Sequence, residues 1–391
     1  MNILYLDATR SLYGASRALL TLLENIDRRK VHPYVVLAND VEDDLRLCAA
    51  LRQLRIPHKE YRLAVLRRQK YLNPSGILFM GRSLLGSVPF LVRAIRRYKI
   101  NLVHTNTSTV LSGAVAAAIC GVPHVWHVHE IFRKWEGEVL TRMLGALSTR
   151  VVVPSEATAN NLRAFYPRLS RKLKVITNGV DPAPFRSVSE SDVERIRREW
   201  SIMPGEQVVG MVGRIGMWKG EEQFVEMARL VSLQRDNVKF IIVGGTFDNQ
   251  ERHIDDLRAV IASKGLSERV LLAGLRDDVP VVLNCFDVLA HLPVRPEPFG
   301  LVAVEAMSAG KPVVAAAMGG LAEIVRAGET GFLVEPGHIE SAAQKVLALL
   351  DDPSLRERMG QAGSRRVDDE FSSAAYAASF QALYRSIQQG K

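Results

Sequence analysis

Two carboxylates, Glu297 and Glu305, bracket a Pro-Phe299-Gly300-Leu301 loop inside Arg295-Pro-Glu-Pro-Phe-Gly-Leu-Val-Ala-Val-Glu-Ala-Met-Ser-Ala-Gly310-Lys-Pro312. The prolines open a helix near Gly300, and Gly310 with Pro312 closes it. Glu305 then falls mid-helix among Val302, Ala303, Val304, Ala306 and Met307. A helix apolar nearly all round is buried, and a carboxylate there is costly unless it accepts hydrogen bonds. Its two oxygens can take both hydroxyls of a ribose, and a structural ion pair is the alternative use. Phe299 and Gly300 put backbone N–H groups at a helix N-terminus, where phosphate or sugar oxygens bind readily. Glu297, just outside that end, can accept from substrate hydroxyls.

A second loop, Gly213-Arg214-Ile-Gly216-Met-Trp218-Lys219-Gly220, leaves the apolar run Val208–Val212. A guanidinium fork and an ammonium on a glycine-rich strand-end loop suit a diphosphate, with two solvated surface cations as the alternative. Gly319-Gly320-Leu-Ala-Glu323 and Tyr13-Gly14-Ala15-Ser16 each place glycine before a helix and can add N–H groups to an anion site. In His124-Val-Trp126-His127-Val-His129-Glu130, strand period puts His127 and His129 on one face, a spacing some metal sites use. No downstream His/Asp cluster of the hydrolytic kind accompanies them, so no metal is expected. His129 at a cleft-facing strand end instead suits a sugar hydroxyl, with a core or surface histidine as the alternative. Basic and apolar residues interleave in Tyr61–Leu72 (Arg62, Arg67, Arg68, Lys70), Phe79–Arg82 and Phe90–Lys99 (Arg93, Arg96, Arg97). That pattern suits an anionic membrane surface or a lipid-linked phosphate, against solvated helix faces as the default; no nucleic-acid motif accompanies it.

Several short strands are needed to position these loops. The 391 residues, 47% hydrophobic and 24% charged, predict two or three globular domains and exclude a disordered or collagen-like chain. Strands near Ile3–Asp7, Tyr34–Ala38, Leu102–Thr105, Val125–His129, Val151–Pro154 and Lys174–Thr177 alternate with helical stretches. Asn178-Gly-Val-Asp-Pro-Ala-Pro184 reads as a junction. The alternation restarts near Val208–Gly213, Lys239–Val243, Val270–Ala273, Val288–His291, Pro312–Ala316 and Phe332–Val334, with a helical tail over Ile339–Gln389. This is α/β patterning of βαβ units, and two doubly wound domains facing a cleft would bring both sets of strand ends to one crevice. Residues 1–182 carry 27 Lys/Arg against 13 Asp/Glu, and 183–391 carry 24 against 29, so the halves suit different partners. Cys48, Cys120 and Cys285 lack metal or redox spacing and read as reduced core residues. Met1 leads directly into Asn-Ile-Leu-Tyr-Leu-Asp without a secretory-signal pattern, and the longest uncharged run, Ile100–His129, is too polar to span a bilayer. A cytoplasmic protein, with peripheral docking on the inner face of the plasma membrane, is expected.

These residues resemble the retaining glycosyltransferases of family 4, which have the GT-B fold. The resemblance lies in Gly213-Arg214 with Lys219-Gly220, Glu297-x7-Glu305 enclosing Phe299-Gly300, Gly319-Gly320 with Glu323, Thr330-Gly331-Phe-Leu-Val, and the junction Asn178-Gly-Val-Asp181. It is strong from Asn178 to Pro336 and looser before. It implies residues 1–181 as an acceptor domain, 182–370 as a nucleotide-sugar donor domain, and 371–391 packing back on the first. It implies sugar transfer from a nucleotide-sugar donor to a glycan or lipid-linked acceptor, with retention and without a metal or other cofactor. Arg214 and Lys219 would bind the diphosphate, Glu305 the ribose, Glu297 the donor sugar, with Phe299, Gly300, Leu301 and Gly14 near sugar and phosphate. His129 would contact the transferred sugar and share the catalytic set with Glu297, Arg214 and Lys219. Tyr13-Gly14 departs from the family's Gly-Gly and Glu130 from its Asp. The rival readings are a nucleotide-sugar epimerase or phosphorylase of the same fold, and a non-catalytic nucleotide-binding or basic-surface adaptor.

Overall fold

The computed structural model describes residues 1–41, 43–67, 74–216, 218–246 and 252–390, without the side chains of 74–79, 134 and 135. The chain divides into two units, Met1–Gly179 with Ser373–Lys391, and Val180–Ser372.

The first unit carries seven parallel strands: β1 (Asn2–Asp7), β2 (His32–Ala38), β3 (His58–Tyr61), β4 (Leu102–Asn106), β5 (His124–His127), β6 (Arg150–Val153) and β7 (Leu173–Val175). Their order is β3-β2-β1-β4-β5-β6-β7. Strands covered by helices on both faces are apolar through their middles, as β1 is over Ile3–Leu6 and β2 over Val35–Ala38, which is why no simple alternation marks them. β3, His-Lys-Glu-Tyr, is an edge strand too polar to be expected from sequence. The strand expected over Val125–His129 ends at His127, so His129 lies in the loop beyond it. The C-terminal helix Ser373–Gln388 belongs to this unit: Tyr376, Phe380 and Tyr384 are buried in one core with Ile3, Tyr5, Leu19 and Leu22.

The second unit carries six parallel strands: β8 (Gln207–Val212), β9 (Val238–Val243), β10 (Val270–Gly274), β11 (Val288–His291), β12 (Val313–Ala316) and β13 (Gly331–Val334). Their order is β10-β9-β8-β11-β12-β13. In both sheets the order reverses beside the first strand, between β1 and β4 and between β8 and β11. At such a point the loops leaving neighbouring strands diverge and open a crevice at the strand ends. Among the described residues no helix is long and apolar enough to cross a membrane.

Candidate functional site

In the second unit, the loop leaving β8 and the loop leaving β11 are joined through backbone and charge. Val294 N–H, on the loop leaving β11, donates to Trp218 O at 3.0 Å, while Gly213 N–H ties the first loop to the end of β9 by donating to Val243 O at 2.9 Å. Gly220, at φ +89°, starts the helix Glu221–Ser232, and a Cβ there would overlap the carbonyl of Leu292. Only glycine permits that approach of the two loops. Glu221, buried at the helix start, accepts from Gly216 N–H at 2.6 Å, and burial pushes its carboxyl up from the usual range.

Glu297 is 8% exposed and has two partners: Lys219 Nζ on Oε1 and His291 Nε2 on Oε2, the latter at 2.5 Å. Burial pushes this carboxyl up, but Lys219 and then His291 outweigh it and hold Glu297 well below the usual carboxylate range. Lys219 Nζ also lies 4.2 Å from the centre of the Trp218 ring, so its charge sits between a carboxylate and an aromatic face. His291 ends β11, is fully buried, and leaves Nδ1 without a partner among the described residues. Arg214 is half-buried on the same loop as Lys219 and is itself engaged in an interaction.

The loop before the helix Leu301–Ser308 is held by the glycine pair. Gly320 N–H donates to Glu297 O at 2.8 Å. A Cβ on Gly319, at φ +57°, would overlap the Glu297 carbonyl oxygen, and one on Gly320 would lie 2.5 Å from Phe299 Cα. The pair thus packs against Glu297 and Phe299, a contact that a side chain at either glycine would disrupt. Gly300 caps the helix at φ +113°, and Phe299 is buried with its ring edge-on to Phe371 at 5.9 Å. The helix is buried from Val302 to Ser308, and Glu305, 5% exposed, is enclosed within it as its apolar surroundings predict. Arg366 was not foreseen: it donates to the carbonyls of Glu323 and Ile324 and so clamps the short helix that follows the glycines.

The first unit places a different set at its strand ends. Asp7 closes β1, Asn106 closes β4, and His129 follows β5. Asn106 Nδ2 donates to Asp7 Oδ2 at 2.7 Å and to Ala15 O at 3.1 Å, while its Oδ1 lies 2.9 Å from His129 Nε2. Asp7 Oδ1 also accepts from Ser16 Oγ at 3.1 Å and Thr9 N–H at 3.2 Å. Burial outweighs those donors and pushes Asp7 up to about 7; burial likewise pushes His129 down to about 3. Glu130 Oε2 accepts from the N–H groups of His129 and Ser108, fixing the loop. The rings of His127 and His129 are 3.9 Å apart, so the shared face persists past the strand end. Gly14 is exposed at the first position of the helix Gly14–Asn25, with open space where a Cβ would go.

The roles of Asp7, Asn106, Ser16 and His291 were not legible in the sequence, although Ser16 falls within Tyr13-Gly14-Ala15-Ser16 and Asp7 and His291 end expected strands. A charge or amide at the last position of an apolar strand was the available signal. The interleaved basic region also changes meaning. Arg67 is forked onto Asp40 at 2.6 and 2.8 Å and onto Ala8 O, so it is not a free cation. Tyr61 and Phe90 stack at 3.8 Å, and Leu63 and Val65 are buried, so these apolar residues serve the core. Arg68, Lys70, Tyr71 and Leu72 lie outside the described residues. The exposed basic face that remains is Arg82, Arg93, Arg96 and Arg97 on the helix Pro74–Arg97, with Leu85 78% exposed among them. Among the described residues no three His, Cys, Asp or Glu side chains are grouped as metal ligands are.

The family model for glycosyl transferases group 1 matches residues 192–366, and that for glycosyltransferase family 4 matches residues 13–184. The chain is 30% identical over 327 residues to an alpha-maltose-1-phosphate synthase of Mycobacterium tuberculosis, covering 76% of this chain and 82% of that one. It is 31% identical to a 2-deoxystreptamine glucosyltransferase of Streptomyces kanamyceticus, over 72% of this chain and 76% of that one. Among solved structures, Anabaena HepE in complex with UDP and glucose superposes with a TM-score of 0.85 at 27% identity, over 99% of this chain and 100% of that one. Two parallel α/β sheets of Rossmann-like order, both family models and these relatives agree: the chain is a group 1 glycosyltransferase of the family 4 type, with the GT-B fold.

Proposed function

We propose that this glycosyltransferase takes a sugar from a UDP- or GDP-sugar, with retention and without a metal, and passes it to a glycan or lipid-linked acceptor of surface polysaccharide or glycolipid synthesis. The observation that carries the reading is Lys219 and Glu297 paired at the ends of two neighbouring strands, with Arg214 on the same loop. An ammonium and a guanidinium there suit a diphosphate and can neutralise it as it leaves. Once phosphate oxygens take Lys219, Glu297 keeps His291 and is freed to accept from sugar hydroxyls. Glu305 takes the ribose, the backbone of Phe299, Gly300 and Leu301 lies near sugar and phosphate, and Gly14 and His129 serve from the first unit. Departure of the nucleoside diphosphate and attack by the acceptor hydroxyl on the same face then need little from the protein beyond positioning and charge.

Calorimetry with UDP, GDP, ADP and their sugar conjugates, with EDTA present, tests the reading. Selective binding to one base that Glu305→Ala abolishes is the expected result. No binding to any of them would overturn the donor assignment and favour the basic-surface adaptor, and binding unchanged in the variant would overturn the role of Glu305. Docking on an anionic membrane is a separate proposal, resting on the exposed Arg82, Arg93, Arg96, Arg97 and Leu85. Flotation with anionic liposomes should be lost on replacing Arg93, Arg96 and Arg97 by Ala, and unchanged flotation would sink it.

A further inference from the structure

Both amide hydrogens of Asn106 are committed, one to Asp7 Oδ2 at 2.7 Å and one to the carbonyl of Ala15 at 3.1 Å. A backbone carbonyl has no hydrogen to give, so Ala15 fixes the amide whatever the protonation state of Asp7. That leaves Oδ1, which only accepts, 2.9 Å from His129 Nε2. Nε2 must therefore carry the ring proton. Burial keeps the ring neutral, and a neutral imidazole has one proton, so Nδ1 is the bare nitrogen. No described residue donates a hydrogen bond to it.

We propose that Asn106 is a positioning residue that fixes His129 as the Nε2–H tautomer, so that His129 Nδ1 meets the transferred sugar as an acceptor and selects a hydroxyl that donates. The proposal rests on the reading of His129 as the sugar contact, and it adds a direction to that contact. A histidine turned the other way would donate, and would tolerate any acceptor in place of the hydroxyl. Ser16 and Thr9 hold Asp7, Asp7 and Ala15 hold Asn106, and Asn106 holds His129, so the direction is set by residues from three strand ends and one helix start. Such supporting partners carry much of a site's precision without touching the ligand.

Long-range proton–nitrogen NMR of the full chain with labelled histidine reads the tautomer directly, the His129 signal being identified by its loss in His129→Ala. The expected wild-type spectrum has a protonated Nε2 and a bare Nδ1, giving way to mixed tautomers in Asn106→Ala. A wild-type spectrum with the proton on Nδ1 overturns the proposal, with no variant or substrate required. Turnover of UDP-glucose and its deoxy and deoxyfluoro analogues then tests recognition. At the ring position whose substitution ceases to matter in His129→Ala, fluorine should cost wild type as much as hydrogen does, about tenfold in kcat/KM, because fluorine cannot donate. Asn106→Ala should lose about 10- to 100-fold in kcat/KM with an unchanged circular dichroism spectrum. Retention of rate by the fluoro analogue, or no position coupled to His129, overturns the recognition. If no nucleotide sugar binds, the donor reading fails while the spectrum still decides the tautomer.

Discussion

Lys219, Glu297 and His291 in the second unit and Asp7 and Asn106 in the first occupy equivalent places, the strand ends beside the point where each sheet's order reverses, with His129 after the next strand, β5. They are built on opposite electrostatics. The second unit holds a buried ion pair whose carboxylate stays ionised far into acid. The first holds an amide-centred relay in which burial favours the neutral form of both ends, the carboxyl pushed up and the imidazole pushed down. A buried pair can exchange partners with an incoming anion, because the ammonium already has its desolvation compensated and can trade one set of anionic oxygens for another. A neutral relay can neutralise nothing; it can only orient. The difference matches a division of labour in which one unit handles charge and the other handles hydroxyls.

The sharpest way to break that contrast is to remove the cation. Lys219→Ala should lower kcat for the nucleotide sugar about 100- to 1000-fold, the scale expected when a donor to developing charge is lost. It also leaves Glu297 buried with His291 alone, so its carboxyl rises and an acidic limb enters the pH–rate profile. A rate within about threefold of wild type would make the pair structural and move the anion site elsewhere.

The two regions also differ in how their loops are held. Glu297 and Phe299 are fixed by backbone packed on the glycine pair, whereas His129 is fixed through side chains. Gly319→Ala must therefore displace Glu297 or leave its own left-handed backbone, and should cost about 2 kcal/mol in urea unfolding together with donor binding. Gly14→Ala in the first unit meets open space and should leave stability within about 0.5 kcal/mol or raise it. Equal effects at both glycines would remove the distinction.

How far these features were legible follows from the same physics. The loops of the second unit could be read because their chemistry is local: glycines that permit close approach, cations on the strand-end loop and a carboxylate inside an apolar helix all lie within short stretches. The pairing of Lys219 with Glu297 was not legible, since only the adjacency of β8 and β11 brings residues 78 apart in sequence together. Asn106 and Asp7, 99 apart, were missed for the same reason. His291 looked like one more member of a buried strand, and nothing local distinguishes a core histidine from one that holds a carboxylate. Arg67 failed in the other direction: a basic run reads as a solvated face, and only the fold shows that Asp40 takes one of its members.

The two units also differ in how they respond to pH. Asp7 titrates near 7 in the folded chain and near the ordinary value of about 4 when unfolded, so between those values the folded state holds a proton that the unfolded state has released. Its contribution is fully present below about pH 4 and is lost as pH rises to about 7, with a slope of at most about 1.4 kcal/mol per pH unit. Glu297 runs the other way: its folded value is depressed, so its contribution is present above the ordinary carboxylate range and lost as pH falls below it. Over the same interval the buried His104, His124, His127 and His129, all pushed down, favour the folded state as pH rises, so hydrogen exchange, which reads the two units separately, should show the Asp7 contribution as a smaller gain of protection in β1 and β4 of wild type than of Asp7→Asn between about pH 5 and 7, after correction for the intrinsic exchange rate. Asp7→Asn should steepen the gain, since an amide oxygen still accepts from Asn106 but carries no proton to lose. Strands β8 and β11 should be unaffected by Asp7→Asn over the same interval, and a parallel change in both units would mean that the neutral relay and the charged pair are not independent devices.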